Sequence, residues 1–336
     1  MDSLTHIAFG AAVGIGVMGR RTAPWRAALA GAVAATLPDL DVFIDHGDPI
    51  SNMVQHRSET HALFWLTLAS LPLGAAVARL QGEWAIWRRW WLAMWLALVT
   101  HPLLDVMTVY GTRLALPFSD RPYGVGSVFI IDPLVTLPLL VGVAWALAGK
   151  GSRRGRIANG VGLALCVGYF ACGVAAQQQV ERVARASLAG QGIETERLLV
   201  TPTAFNSLLW RVVAVGGEHF HEGYYSLLDA EPRITFDRFE RGATLERVLH
   251  GDPGVQRVAA FSRGFYKLSE DGPLLLVSDL RMGQEPAYVF TFAIAERHSA
   301  PLPLAEPRQV GARIDLARGL PWLWRRLWGE PLPPPR

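Results

Sequence analysis

The chain has few charged residues, little net charge and only two cysteines. Asp, Glu, Lys and Arg make up 18% of its 336 residues, below the roughly 25% of ordinary soluble domains. The formal net charge is +3, and no basic patch is interleaved with aromatic residues, which argues against nucleic-acid binding. Cys166 and Cys172 both lie in an apolar run, so we interpret them as packing residues rather than a disulfide or metal pair. The N-terminus also lacks the basic region of a cleavable signal peptide.

Apolar residues are abundant and unevenly placed. They make up 51% of the chain, and the long apolar runs all fall within residues 1–177. Four runs are long enough to span a bilayer, and two shorter ones, rich in Gly and Ala, precede them. The six segments are 7–18, 27–44, 62–79, 90–109, 128–148 and 157–177. We therefore expect a membrane α-helical bundle of about six membrane helices.

The remainder of the chain resembles ordinary globular sequence. Strand-like runs alternate with turn signals, which predicts a small mixed, mainly antiparallel β domain outside the membrane. The predicted strands are 197–200, 208–215, 223–228, 265–268, 274–278 and 288–294. Residues 320–328 combine Trp and Leu with Arg, as interfacial helices do. The expected domains are 1–177 (membrane-embedded, with the candidate site), 178–319 (extramembrane) and 320–336 (interfacial tail).

Basic residues predict the orientation of these segments. Arg and Lys cluster between the first and second, third and fourth, and fifth and sixth apolar segments. By the positive-inside rule these loops are cytoplasmic. The expectation is a multi-pass inner (plasma) membrane protein whose residues 178–336 lie outside the cytoplasm.

Side chains of metal-ligand type are concentrated in the N-terminal third, and all fall on the predicted outer side. A buried unpaired charge in hydrocarbon costs roughly 2.5 kcal/mol or more, so such groups usually face one another, water or an ion. Imidazoles and carboxylates together suit a divalent metal, zinc first and manganese as the alternative. The candidate metal ligands are His6, Asp39, Asp41, His56, His61, His101 and Asp105.

The spacing of the histidines constrains how they could meet. His101 and Asp105 are four residues apart, so a helix places both on one face, either as ligands or as a hydrogen-bonded pair. His56 and His61 are five apart and converge only if His56 lies in a loop and His61 begins the helix.

For other polar residues near these histidines, the sequence is compatible with more than one role. Asp39 and Asp41 cannot share a helical face, so one of them would ligate while the other holds a histidine or bridges a second ion. Arg57 is either a solvated cation or a clamp for an anionic substrate. Glu59 is a candidate general base.

Four ordered motifs carry a resemblance to a known family. They are Met1–Ala8, Leu37–Asp41, His56-Arg57-x-x-Thr60-His61 and His101-x-x-x-Asp105. Together they resemble the YdjM-like inner-membrane metal-dependent hydrolases over residues 1–177. The chain is distantly similar to the zinc-dependent phospholipase C and single-strand nuclease group.

The similarity to the phospholipase C and nuclease group implies which residues bind the metal. They are His6, Asp39 or Asp41, His61, His101 and Asp105. No histidine occurs between His101 and His219, a departure from that group that favours one or two ions over three.

The resulting hypothesis is a membrane-bound metal-dependent hydrolase. It would act on a phosphoester or another polar headgroup bond of a membrane lipid, or on a small molecule, at the outer face of the inner membrane. The alternative is a non-enzymatic metal-stabilised scaffold or a metal or proton transporter. The inner halves of the predicted helices carry few ionisable groups, which argues against transport.

Overall fold

The computed structural model describes residues 1–298, 301–312 and 315–336. Its N-terminal half is helical and its C-terminal half is rich in strands. The helices are α1 (Ser3–Met18), α2 (Pro24–Thr36), α3 (Pro49–Gln55), α4 (Leu63–Leu80), α5 (Trp87–Val106), α6 (Pro133–Ala148), α7 (Arg153–Gly190), α8 (Ala243–Leu249), α9 (Pro253–Phe261) and α10 (Leu316–Leu327). Short 3-10 helices cover Pro38–Phe43, Glu59–His61 and Trp84–Ile86.

The strands belong to antiparallel sheets. They are β1 (Arg197–Pro202), β2 (Leu209–Val215), β3 (His219–Ser226), β4 (Phe236–Glu240), β5 (Tyr266–Asp271), β6 (Leu274–Asp279), β7 (Gly283–Gln284), β8 (Ala287–Tyr288), β9 (Thr291–Glu296) and β10 (Leu302–Gln309). One sheet has the order β1-β2-β3-β4 and the other β10-β9-β6-β5, while β7 and β8 form a short ribbon.

Contacts divide the chain into two compact units. Unit 1 comprises Met1–Phe43, Arg57–Val174 and Ala204–Asn206. Unit 2 comprises Ile44–His56, Ala175–Thr203 and Ser207–Arg336. The segment that contains α3 therefore packs with the β-rich unit, although both of its ends continue into unit 1.

Small residues allow α1 and α2 of unit 1 to touch along their backbones. A Cβ atom added to Gly10 would lie 2.3 Å from the carbonyl oxygen of Gly31, and one added to Gly14 would lie 2.2 Å from that of Ala27. Only glycine permits this approach. Helix α1 also packs against α5 and α6, which brings the helix that carries His6 against the helix that carries His101.

The prediction of about six membrane helices is wrong. Among the described residues, two helices, α4 and α7, are long and apolar enough to cross a membrane. Helices α1 and α6 have 16 residues each, which is about 24 Å against a hydrocarbon core of about 30 Å. The predicted segment 27–44 divides into α2 and the 3-10 helix Pro38–Phe43. Helix α5 is long enough, but its Arg88, Arg89, Asp105 and many tryptophans lower its hydropathy.

Candidate metal centre

Four candidate ligands reach one point in unit 1 from three separate segments. Asp39 lies on the 3-10 helix Pro38–Phe43, and His61 ends the 3-10 helix Glu59–His61. His101 and Asp105 lie one turn apart on α5. Their ligand atoms all fall within 4.8 Å of one another, and they are the one such group of His, Cys, Asp and Glu in the part of the chain that the structure describes. This cluster could bind a metal ion.

Five separations within the cluster are close to those expected around a single ion. Nε2 of His101 lies 3.1 Å from Nε2 of His61, 3.3 Å from Oδ1 of Asp39 and 3.3 Å from Oδ2 of Asp105. Nε2 of His61 lies 3.5 Å from Oδ1 of Asp39 and 3.4 Å from Oδ2 of Asp105. Ligands bonded to zinc at about 2.0–2.2 Å in a tetrahedron lie about 3.3–3.6 Å apart. The donor set therefore fits a divalent ion.

The second ring nitrogen of each histidine is anchored, which orients the first toward the cluster. Nδ1 of His101 lies 2.6 Å from the carbonyl oxygen of Ala35, which can only accept a hydrogen bond. Nδ1 of His61 lies 2.9 Å from the hydroxyl of Thr60, which in turn donates to Asp41 at 2.8 Å. In the neutral imidazoles the proton is thus on Nδ1, and Nε2 offers its lone pair.

These tautomers leave four acceptor atoms converging with no donor between them. Oδ2 of Asp105 is fully buried and has no hydrogen-bond donor among the described residues. Buried acceptors that face one another without a proton or a cation repel and lose their hydration. A divalent cation at the centre removes this conflict, and this is the observation that favours a metal over a purely structural polar cluster.

Asp39 is the ligand that solvent reaches. His61, His101 and Asp105 are buried, whereas the Asp39 side chain is 24% exposed. The ordinary pKa of an aspartate is about 3.9, so a carboxylate that solvent reaches is ionised at neutral pH, as metal ligation requires.

Three further predicted ligands lie outside the group of four. His6 is buried and stacks on His101 with ring centroids 3.6 Å apart, and its Nε2 lies 3.3 Å from Oδ1 of Asp105. Asp41 holds the Thr60 and His61 side chains instead of joining the cluster. His56 caps the C-terminus of α3 and packs with unit 2.

The two predicted catalytic residues occupy different surroundings. Arg57 is buried, and its Nη2 lies 3.0 Å from Oδ1 of Asp105. Glu59 is exposed on the short 3-10 helix that ends at His61. Two other groups at the site could not be predicted from the sequence: the Ala35 carbonyl, which holds His101, and the Thr108 hydroxyl, which accepts from Arg57. Backbone groups and short hydroxyl side chains carry no recognisable motif.

The fold and the cluster define a class of protein: a helical unit with two candidate membrane spans and a largely buried His/Asp cluster that could bind a metal ion, combined with a β-rich unit. Residues 1–180 match the family described as YdjM inner membrane protein, and the chain belongs to that family.

Two relatives extend this comparison. The uncharacterized protein YfhP of Bacillus subtilis (strain 168) is 26% identical over 276 residues, which cover 78% of this chain and 79% of YfhP. The inner membrane protein YbcI of Escherichia coli (strain K12) is 33% identical over 123 residues, which cover 36% of this chain and 69% of YbcI. No solved structure gives a significant match.

Proposed function

We propose that this protein is a metal-dependent hydrolase that cleaves a phosphoester or another polar headgroup bond of a membrane lipid. The observation that carries the proposal is the convergence of Asp39, His61, His101 and Asp105 with one solvent-accessible ligand. A divalent ion held there supplies a Lewis acid and a water of lowered pKa. Three of the ligands are buried, and the Asp39 side chain is the part of the centre that solvent reaches. Zinc suits the mixed nitrogen and oxygen donors, with manganese as the alternative.

Exposed apolar side chains beside Asp39 support a lipid substrate. The 3-10 helix Pro38–Phe43 turns Asp39 and Asp41 inward but leaves Leu40, Val42 and Phe43 exposed by 52%, 67% and 83%. Isolated exposed apolar residues are common, whereas a run of them at a site entrance marks contact with an apolar partner. A lipid supplies both the polar headgroup for the centre and the hydrocarbon for these side chains.

Removing the metal tests the hydrolase directly. We expect the purified full chain, stripped with a chelator, to be inactive and to regain activity when zinc or manganese is restored. The assay panel contains phospholipid vesicles with several headgroups, a soluble aryl phosphodiester and single-stranded DNA. Hydrolysis of the lipids with no cleavage of DNA is the expected pattern. A fully metal-loaded protein that cleaves none of the panel would contradict the hydrolase.

A metal-stabilised scaffold is the second candidate, because four protein ligands around one ion are typical of structural zinc sites. In that case the ion would raise the stability of unit 1 without turnover. The same metal-depleted and metal-restored samples distinguish the two: a scaffold gains resistance to unfolding and shows no hydrolysis.

We further propose that the candidate centre opens at the outer face of the inner membrane. Helix α4 begins at Leu63, two residues after His61, and carries Arg79 near its other end. Helix α7 begins with Arg153, Arg154 and Arg156. By the positive-inside rule the basic end of each candidate span is cytoplasmic. The His61 end of α4 and the chain after α7 are then extracytoplasmic.

A reporter attached to the full chain checks this orientation. Alkaline phosphatase fused after Arg336 should be active, because the enzyme folds only outside the cytoplasm. A green fluorescent protein that folds only in the cytoplasm, fused at the same place, should stay dark. The reverse pattern would place the C-terminal residues inside the cell.

A further inference from the structure

The two carboxylate oxygens of Asp105 face different partners. Oδ2 faces the candidate metal position, 3.4 Å from Nε2 of His61 and 3.3 Å from Nε2 of His101. Oδ1 points away from it, 3.0 Å from Nη2 of Arg57 and 3.3 Å from Nε2 of His6, and it also contacts the amino group of Met1. Asp105 therefore lies between the candidate ion and a fixed organic cation.

Carboxylates in this position commonly bridge two metal ions. In two-metal hydrolases the ions lie about 3.5–4 Å apart and share such ligands. Here the guanidinium of Arg57, an always-charged group that cannot be deprotonated, lies next to Oδ1 together with the amino group of Met1. A second ion at Oδ1 would have to displace a buried cation and would be repelled by it.

Arg57 is held firmly in this position. Its side chain is 4% exposed, its Nη1 donates to the hydroxyl of Thr108 at 3.3 Å, and its guanidinium lies 5.0 Å from the ring centre of Tyr110. Its backbone N–H donates to Asp41 at 3.0 Å, and its carbonyl accepts from the backbone N–H of Arg113 at 3.0 Å.

The backbone of Arg57 adds a second sign of constraint. Its φ is +65°, a left-handed conformation that costs a non-glycine residue on the order of 1 kcal/mol or more and persists only where the surroundings enforce it. The conformation turns the guanidinium onto Asp105, away from the exposed position that a solvated arginine would occupy.

We propose that Arg57 occupies the second cation position of the centre, so that the site binds one divalent ion and Arg57 sets how strongly Asp105 holds it. The inference rests on the metal centre of the proposed function and assigns its stoichiometry and a positioning role for Arg57. The guanidinium draws charge from Asp105 and weakens its bond to the ion. Without it, Oδ1 of Asp105 keeps the Met1 amino group and Nε2 of His6 as neighbours, and a second ion bound there would no longer meet a buried guanidinium.

Metal titration of the purified full chain tests this without any activity assay. Metal-stripped protein is titrated with zinc, and bound metal is measured by equilibrium dialysis and elemental analysis. The wild type and Arg57→Lys should bind one ion per chain. Arg57→Met, which keeps the apolar stem and removes the charge, should bind the first ion about tenfold more tightly or more, or accept a second.

Arg113→Met is the matched control. The Arg113 side chain donates to the hydroxyl of Ser58 at 3.3 Å, and the Arg113→Met protein should bind metal as the wild type does. Two ions per wild-type chain would overturn the inference even if Arg57→Met fails to fold. So would an Arg57→Met protein with wild-type stoichiometry and affinity. No bound ion in any variant would instead overturn the metal centre of the proposed function.

Discussion

Replacing His101 with alanine, or Asp105 with asparagine, is expected to remove the bound ion and abolish hydrolysis. His101→Ala deletes one of the four converging ligand atoms, and Asp105→Asn replaces a charged carboxylate with a neutral amide that binds a cation far less strongly. Loss of a partner that only orients a ligand already costs about 10–100-fold in metal affinity, so loss of a ligand should exceed that. Elemental analysis of the purified variants and the lipid assay measure the two effects.

His46→Ala is the control for these variants. His46 is exposed, outside the centre, and its contact to Asn52 is made by its backbone, so metal content and turnover should stay at wild-type levels. Asp48 in the same loop is less suitable, because it caps α3 and pairs with Arg257 at 2.7 Å. If both the His101 and Asp105 variants kept full metal and turnover, the centre would lie elsewhere.

The second large effect is expected in unit 2, from the buried pair Arg211 and Glu222. Arg211 donates to Glu222 at 2.7 Å and to the carbonyl of Leu280 at 2.8 Å, and both charged side chains are buried. Burial by itself lowers the pKa of Arg211, but Glu222 raises it above its ordinary value, so the pair is ionic. Glu222→Ala leaves the arginine as a buried unpaired charge and should lower the free energy of unfolding by about 3–5 kcal/mol.

Urea-dependent protease sensitivity of unit 2 in the full chain measures this loss. The double replacement Arg211→Met with Glu222→Leu should recover most of the stability, because it removes both charges together. The exposed pair of Arg185 and Glu181 on α7 is the control, and Arg185→Ala should cost less than about 1 kcal/mol. A Glu222→Ala protein as stable as the Arg185→Ala protein would show that the buried charge is compensated in another way.

Local patterns in the sequence predicted the elements that depend on near neighbours. The four-residue spacing of His101 and Asp105 places both on one face of a helix, and both lie on α5 with their ligand atoms 3.3 Å apart. The six predicted strand runs each overlap a strand, since short apolar runs bounded by turn signals are typical of buried strands. Two strands, β4 and β10, were not predicted, because both are largely exposed edge strands that carry charged residues or proline in place of an apolar run.

The number of membrane helices could not be obtained from apolar content. Apolar residues are needed equally by a buried helix packed against other helices and by a helix in contact with lipid. Helices α1, α2 and α5 pack on one another through buried small residues such as Ala11, Ala28 and Ala97. Their apolar residues are therefore buried against other helices of unit 1. The hydropathy of a single segment does not distinguish this burial from contact with lipid.

The sequence by itself determined the ligand types, their order along the chain and the shared face of His101 and Asp105, because these follow from residue chemistry and helix periodicity. Only the tertiary structure decided that Asp39 joins the cluster while Asp41 supports His61, and that Arg57 lies against Asp105. These contacts depend on how the 3-10 helix Pro38–Phe43 and the left-handed backbone of Arg57 pack against α5. Contacts between segments tens of residues apart, made by long-range packing, leave no periodic trace in the sequence.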